Sequence, residues 1–133
     1  MPIFERDPWR EQYFENVRCP DDVVIATDDM DAWPWYPQFN WVYDKLRIAQ
    51  SQGFACGPHG VDPPRYPVFS KPITNLKGMG LGSRLISSPR EMQLFATAGH
   101  FWMELFNGPH VSTDCAVVNG KVEWLRHAVG VPA

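Results

Sequence analysis

Cysteine is scarce in this sequence, and the few that are present follow no recognisable pattern. The 133 residues include three cysteines, Cys19, Cys56 and Cys115, with no Cys-x-x-Cys pair among them. An odd number of widely separated cysteines excludes a disulfide framework, and their spacing does not suggest a zinc site. We therefore expect three free, buried thiols.

An excess of positive charge and any long hydrophobic run are also missing. The formal net charge of −3 at pH 7 argues against a surface built to bind nucleic acid. No apolar run approaches the length of about 20 residues that spans a membrane, and the N-terminal MPIFERDPW lacks the apolar core of a signal peptide. We expect no nucleic-acid or membrane partner and a cytoplasmic location.

Repeats and low-complexity segments are absent too, whereas proline is abundant. Thirteen prolines occur in the chain, clustered between Pro20 and Pro72, so the first half should be rich in loops. The length and the 44% hydrophobic content fit one globular domain with a real core. We divide this single domain, 1–133, into a loop-rich segment 1–37 and a module 38–133.

Capping residues and hydrophobic patterns predict an α+β fold. Helices are predicted at 8–17, 41–52 and 89–98, and strands at 23–26, 66–70, 100–106, 111–118 and 121–128. The second helix places Lys45 at the edge of its buried face, where a lysine usually extends its ammonium to solvent and less often points into a site.

The last two strands form a hairpin around Asn119-Gly120, the strongest short hairpin signal. A two-residue turn pairs Val118 with Lys121, and regular pairing then places Cys115 opposite Trp124, Thr113 opposite Arg126 and Ser112 opposite His127. Ser112, Asp114 and His127 would share one face, which is the composition of a hydrolase triad. Because no nucleophile elbow accompanies them, we interpret them as the polar face of a hairpin.

An acidic loop, Thr27 to Asp31, follows the first predicted strand. Its three carboxylates, Asp28, Asp29 and Asp31, suit either a metal or polar-substrate site or the capping of turns and helices. We favour capping.

The next segment, Ala32 to Trp41, is dense in aromatic residues and proline. It is either a platform for a sugar or peptide or a rigid connector whose rings cover the core, and we favour the connector. The rings concerned are Trp33, Trp35, Tyr36 and Trp41.

A lysine at a strand end followed by alternating glycines forms the sequence around which the chain is organised. Lys71 and Pro72 close the strand, since proline cannot donate to the ladder. Lys77 then precedes Gly78, Gly80 and Gly82. This arrangement suits either an ordinary flexible loop or an anion site, in which glycines let backbone N–H groups approach phosphate oxygens.

The order of these features resembles the ATP-grasp superfamily. The matching features are the helix with Asp44-Lys45-Leu46, a proline-rich loop, the stretch YPVFSKP, the glycine loop, the SPRE helix start, MELFNG and the Asn-Gly hairpin, over residues 38–130. The resemblance implies an α+β fold with a mostly antiparallel sheet and two or three helices, incomplete relative to the full superfamily fold. In such enzymes two subdomains clamp ATP, and a carboxylate is phosphorylated and then captured by an amine or thiol.

The resemblance also implies roles for individual residues. Lys45 would approach the phosphates, Lys71 would lie between the α-phosphate and the adenine, and the loop from Lys77 to Ser83 would close over the phosphates. The adenine-binding hinge would be Glu104, Leu105 and Phe106, and Arg126 would lie on the substrate side.

Two departures from the superfamily pattern limit these roles. His110 stands where the superfamily has a glutamate that binds the ribose hydroxyls. The sequence ends at Ala133, before the strands that supply the Mg²⁺-binding residues, so Mg²⁺ is expected only if the missing half is supplied. We therefore expect an ATP-binding module that is not a competent ligase by itself. The alternative is a non-catalytic assembly module that buries its open sheet edge in a homodimer.

Overall fold

The structure is a computed structural model that describes residues 3–16 and 18–130. The described strands are β1 (Ile3–Phe4), β2 (Ile25–Ala26), β3 (Cys56–Pro58), β4 (Val68–Pro72), β5 (Arg84–Ile86), β6 (His100–Glu104), β7 (Val111–Val118) and β8 (Lys121–Val129). The α-helices are α1 (Pro8–Glu11), α2 (Asp29–Trp35), α3 (Lys45–Ser51) and α4 (Pro89–Leu94), with 3-10 helices at Gln12–Phe14 and Pro37–Tyr43. These elements confirm the predicted α+β class with antiparallel sheets.

A four-stranded antiparallel sheet, in the order β3-β6-β4-β5, holds the core. Side chains alternate across it, so each face has its own hydrophobic cluster. Ala49 of α3 packs with Phe101 and Met103 on one face. On the other face, Met92 of α4 packs in a cluster with Val68, Ile86 and Trp102. The sheet is therefore covered by α3 on one side and α4 on the other.

Helix α4 begins as the sequence predicts. The Ser88 hydroxyl accepts from the backbone N–H of Glu91 at 3.2 Å, and the Glu91 carboxylate accepts from the N–H of Ser87 at 2.7 Å. These are the reciprocal bonds of a capping box, displaced by one residue on the carboxylate side. The helix ends at Leu94, four residues before its predicted end at Ala98.

The predicted helix 41–52 is wrong at its start. Residues 37–43 form a 3-10 helix, and α3 begins at Lys45 with Asp44 as its N-cap, whose carboxylate accepts from the N–H of Arg47 at 2.9 Å. Asp44 is extended (φ −78°, ψ 90°) and separates the two helices. Lys45 therefore lies in the first turn, and Val42 is on a different helix from Leu46.

The N-terminal segment follows the prediction only in part. The strand predicted at 23–26 is shortened to β2, which pairs in parallel with β1, a strand that the sequence patterns did not predict. The helix predicted at 8–17 is α1 followed by a 3-10 turn that ends at Phe14. Val17 lies outside the described residues.

The acidic loop has the capping role that was favoured for it. Asp28 is the N-cap of α2 and accepts from the N–H of Met30 at 2.8 Å. Asp29 accepts from the hydroxyl of Tyr43, and buried Asp31 pairs with Arg6. The carboxylates are therefore engaged separately. The aromatic segment after them, interpreted as a connector whose rings cover the core, forms α2 and a 3-10 helix, and the rings of Trp35 and Trp41 are exposed.

The hairpin forms at the predicted turn, but its predicted register is wrong beyond the second pair, Val117 with Val122. Val118 opposes Lys121 as expected, and an irregularity at Ala116 and Val117 then shifts the pairing by one residue. Cys115 therefore opposes Leu125, and His127 opposes Thr113 rather than Ser112. A bulge cannot be read from alternation, because its extra residue interrupts that alternation. His127 no longer shares a face with Ser112, so the triad arrangement is not formed.

Exposure corrects the expectation for the thiols. All three cysteines are free as predicted, but Cys115 is exposed on the hairpin, whereas Cys19 and Cys56 are half-buried.

Replacing Ile86 tests whether the α4 face of the sheet carries the stability. Ile86 is fully buried, so Ile86→Ala should lower the free energy of unfolding by about 2–5 kcal/mol and Ile86→Val by about 0.5–1.5 kcal/mol. Leu94→Ala is the control, because Leu94 is 73% exposed and its truncation should change stability by less than about 0.5 kcal/mol. Urea unfolding followed by tryptophan fluorescence measures the three values. Equal losses for Ile86→Ala and Leu94→Ala would contradict this core assignment.

Candidate functional site

Lys71 lies on β4 with its side chain on the α3 face of the sheet. Its Cα is paired with that of Phe101 on β6, and its ammonium nitrogen lies 5.5 Å from the centre of the Phe101 ring. This is within the range of a cation–π contact. The Phe101 ring is fully buried, so it holds the aliphatic part of the Lys71 side chain and keeps the ammonium group near the sheet.

Lys45 approaches the same place from the start of α3. Its backbone N–H donates to the carbonyl of Ile73, two residues after Lys71, at 2.9 Å. Burial, and after it the positive charge of Lys45, lowers the pKa of Lys71. Within the described ranges 3–16 and 18–130, no carboxylate lies within 4 Å of either ammonium group. The two lysines therefore form a concentration of positive charge at this end of β4.

The glycine loop leaves β4 beside this pair of lysines. Asn75 shapes its start, since its side-chain oxygen accepts from the N–H of Lys77 at 3.0 Å and its amide nitrogen donates to the carbonyl of Gly78 at 2.9 Å. Gly78, Met79 and Gly80 all have positive φ, and Met79 is 93% exposed. The loop thus exposes a left-handed stretch of backbone directly after Lys77, which is itself exposed.

Gly82 is where this loop is most constrained. Its φ is +75°, and a Cβ there would lie 3.1 Å from Cγ of Pro72 and 3.3 Å from Nε2 of His100. Both the conformation and the space therefore require glycine. Gly82 holds the end of the loop against β4 and β6, whereas a Cβ at Gly78 or Gly80 would meet nothing within 4 Å.

The predicted hinge segment is only partly brought to the lysines. Glu104 lies at the end of β6, three residues and about 10 Å along the strand from the partner of Lys71. Alternation places its side chain on the face opposite that of Lys71. Its carboxylate accepts from the N–H of Ala55 at 3.1 Å and meets Arg65 at 3.4 Å. The carboxylate therefore ties the end of β6 to the neighbouring loop.

A polar cleft of 280 Å³ adjoins the hinge, and the sequence did not predict it. The buried hydroxyl of Tyr66, in its wall, has no hydrogen-bond partner among the described residues. Burial raises the pKa of that hydroxyl, with a smaller effect from Asp62. Phe106, the last residue of the predicted hinge, does not line this cleft and packs edge-on against Phe54 with 4.9 Å between ring centres. The cleft is lined by Arg65, Tyr66, Pro67, Glu104, Leu105 and Asn107.

His110 and Arg126 lie apart from the other candidate residues. The His110 ring packs against Gly130, where a Cβ would come within 2.9 Å of its Nδ1. Arg126 is exposed on β8, a strand that packs mainly against β7. The structure shows no contact that brings either residue to the lysines.

A histidine–serine pair on the α4 face of the sheet was also not predicted from the sequence. His59 Nε2 lies 2.9 Å from the hydroxyl of Ser70, and His59 Nδ1 accepts from the backbone N–H of Thr97 at 3.0 Å. Because Nδ1 is an acceptor, the neutral ring carries its proton on Nε2 and donates it to Ser70. Such a ring cannot remove the proton of Ser70, which is itself buried. The pair is therefore structural rather than a nucleophile with its base.

Two further features, a cluster of metal ligands and a membrane-spanning helix, are absent from the described part of the chain. No group of three His, Cys, Asp or Glu side chains there is arranged to hold a metal ion. None of the helices there has the length and hydrophobicity needed to cross a membrane.

Comparison with protein-family models, with curated proteins and with solved structures gave no match. The candidate site therefore has to be judged on its geometry.

The lowered pKa of His59 predicts how the free energy of unfolding depends on pH. Burial, and after it the neighbouring His100, lowers the pKa of His59 from its ordinary value of 6.5. The unfolded chain then binds more protons than the folded chain, so this contribution to stability is present above pH 6.5 and is lost as pH falls through the lowered pKa. A ¹H–¹⁵N NMR titration should give His59 a pKa below 6.5. A His59 pKa at or above 6.5 would contradict the buried, neutral ring assigned here to His59.

Proposed function

We propose that this chain is an ATP-grasp-like nucleotide-binding module that holds the phosphates of ATP at the Lys45–Lys71 pair and does not act as a ligase by itself. The carrying observation is that Lys45, bonded through its N–H to Ile73, and Lys71, held over Phe101, meet at one end of β4, where burial, and after it the charge of Lys45, lowers the pKa of Lys71. Two like charges held together raise the free energy of the unliganded protein, and a polyanion removes that cost. A triphosphate is the anion that the neighbouring elements suit.

The glycine loop supports a phosphate ligand rather than a single carboxylate. A Cβ at Gly78 or Gly80 would meet nothing within 4 Å, so phosphate oxygens could approach the left-handed backbone there and accept from its N–H groups. Lys77, at the start of that stretch, adds a third exposed cation. The glycine loop begins at the end of β4 where Lys45 and Lys71 meet, so one polyphosphate could contact both the loop and the lysines.

The hinge segment, residues 104–106, is where the adenine of the proposed nucleotide would bind. Leu105 borders the polar cleft just beyond the end of β6, four residues and about 13 Å along the chain from Phe101, the strand partner of Lys71. Because the side chains of Glu104 and Lys71 point to opposite faces of the sheet, a nucleotide that contacts both the cleft and the lysines would pass around this end of the sheet. Glu104 contributes backbone rather than carboxylate, because its side chain is engaged by Ala55 and Arg65.

The residues described here do not fit a resident Mg²⁺. Oxygen ligands for this ion come from carboxylates, and the described residues hold no group of three metal-ligating side chains. Any Mg²⁺ at the site would therefore arrive on the nucleotide, and we assign no chemical step to it.

Removal of the Lys71 charge is the test of this proposal. Lys71→Met keeps an apolar stem over Phe101 and deletes the ammonium group, so MgATP affinity should fall about tenfold or more, as expected for loss of a charge-assisted contact. Lys121→Met is the matched control, since Lys121 is exposed on the hairpin and its loss should leave affinity unchanged. Isothermal titration calorimetry with MgATP measures all three proteins.

The outcomes of the titration separate the parts of the proposal. The absence of any binding heat with the unmodified protein would reject nucleotide binding. Equal affinities for Lys71→Met and the unmodified protein would remove Lys71 from the site.

The hairpin supports a second function, assembly into a homodimer. Register places Val111 opposite Val129, Cys115 opposite Leu125 and Val117 opposite Val122 on one face, and the valines and Leu125 there are at least half exposed. A two-stranded sheet is at best marginally stable in water, and both of its edges are open. The same face also carries the hydrogen-bonded pair of Thr113 and His127, and it has no carboxylate or lysine at these paired positions, so a second copy would cover it without repulsion between such charges.

Sedimentation velocity over a range of concentrations tests the dimer. The unmodified chain should sediment as a dimer, and Leu125→Lys should give a monomer because it would bury a charge in the interface. Leu94→Lys, a substitution at a more exposed leucine on α4, should leave the dimer intact. A monomer at every concentration of the unmodified chain, or a dimer that survives Leu125→Lys, would reject the hairpin as the interface.

A further inference from the structure

An apolar groove lies in the N-terminal segment, away from the lysines and the glycine loop. Its volume is 360 Å³, and it is bounded by β2, α2 and the 3-10 helix 37–43. The volume is within the range of small-molecule sites, which are mostly apolar with a few polar groups. The groove is lined by Val23, Val24, Ile25, Ala26, Ala32, Tyr36, Phe39, Asn40, Val42 and Tyr43, and none of these side chains is charged.

The polar groups of two of its tyrosines are already engaged. The hydroxyl of Tyr36 donates to the carbonyl of Val24, and the hydroxyl of Tyr43 donates to the carboxylate of Asp29 at 3.3 Å. Trp33 packs against the Tyr43 ring with 5.5 Å between ring centres. These contacts hold both rings as walls of the groove and leave their faces for an apolar ligand.

Asn40 is the exception among the polar groups of the groove. Its side-chain oxygen is shielded from solvent and accepts no hydrogen bond from any described residue. An unsatisfied buried acceptor is unfavourable and requires an explanation. The torsion that turns an asparagine amide has broad minima, so the amide can rotate towards a molecule in the groove at little cost. A ligand with one hydroxyl or amide group would then satisfy it.

We propose that this groove binds a small, uncharged, largely apolar ring compound through its apolar walls and a hydrogen bond from the ligand to the Asn40 amide. Because no charged side chain lines the groove, an anion would find no countercharge there. The ligand therefore differs from the nucleotide proposed for the lysine pair. The site is separate from the nucleotide site, and failure of one proposal leaves the other intact.

A matched pair of probes isolates the hydrogen bond. p-Cresol and toluene differ by one hydroxyl group, so p-cresol should bind the unmodified protein about fivefold more tightly, the size of one net hydrogen bond. Asn40→Leu keeps an apolar side chain of similar size and should reduce this ratio to about one. Chemical-shift titration in ¹H–¹⁵N NMR spectra measures the affinities and reports, from the unperturbed peaks, that each variant is folded.

Filling the groove tests the location. Ala32→Trp should abolish binding of both probes, and Val42→Trp, on the half-exposed opposite wall, tests the same point if Ala32→Trp does not fold. Ala98→Trp is the control, since Ala98 does not line the groove. Absence of binding to the unmodified protein, binding that survives both filling substitutions, or a p-cresol preference that persists in Asn40→Leu would each overturn the proposal.

Discussion

Pairing of β4 with β6 is the constraint on which the rest of the structure depends. It places Lys71 opposite Phe101 on one face and Ser70 opposite Trp102 on the other. The buried Phe101 ring then keeps the Lys71 ammonium close to the sheet, where it loses part of its hydration. A lysine at the same position on an edge strand would extend into water and keep its ordinary pKa. The electrostatics of the candidate site therefore follow from strand register.

Features encoded by neighbouring residues were predictable from the sequence. Asn119-Gly120 gave the hairpin turn because both residues adopt positive φ, which this turn requires. Ser88-Pro89 gave the start of α4, because a cap and a proline act within one turn. The α+β class and the end of β4 near Lys71-Pro72 depended on similarly local signals. Each of these signals spans fewer than five residues, so no knowledge of the tertiary fold was needed.

Features that depend on distant contacts were not predictable. His59 and Ser70 are eleven residues apart, and Thr97, which fixes the His59 tautomer, is farther still. The hairpin bulge reversed the expected faces, since one inserted residue changes every later pairing. Among the candidate site residues, Lys45 and Lys71 meet, whereas His110 and Arg126 do not join them. Only the sheet register and the position of α3 decide which of these residues come together.

Loop ordering, rather than lysine charge, should set the strength of any phosphate binding. The lysines are held before a ligand arrives, one over Phe101 and the other by the bond from its N–H to Ile73. A Cβ at Gly78 or Gly80 would meet nothing within 4 Å, and these residues are held through their carbonyls by the Asn75 side chain and the N–H groups of Leu81 and Ser83. Each loop residue that a ligand orders further costs up to about 1–2 kcal/mol. Three or four such residues would offset much of what two charge-assisted contacts contribute. The two lysines would therefore attract the phosphates, and the free-energy cost of ordering the loop glycines would limit the affinity.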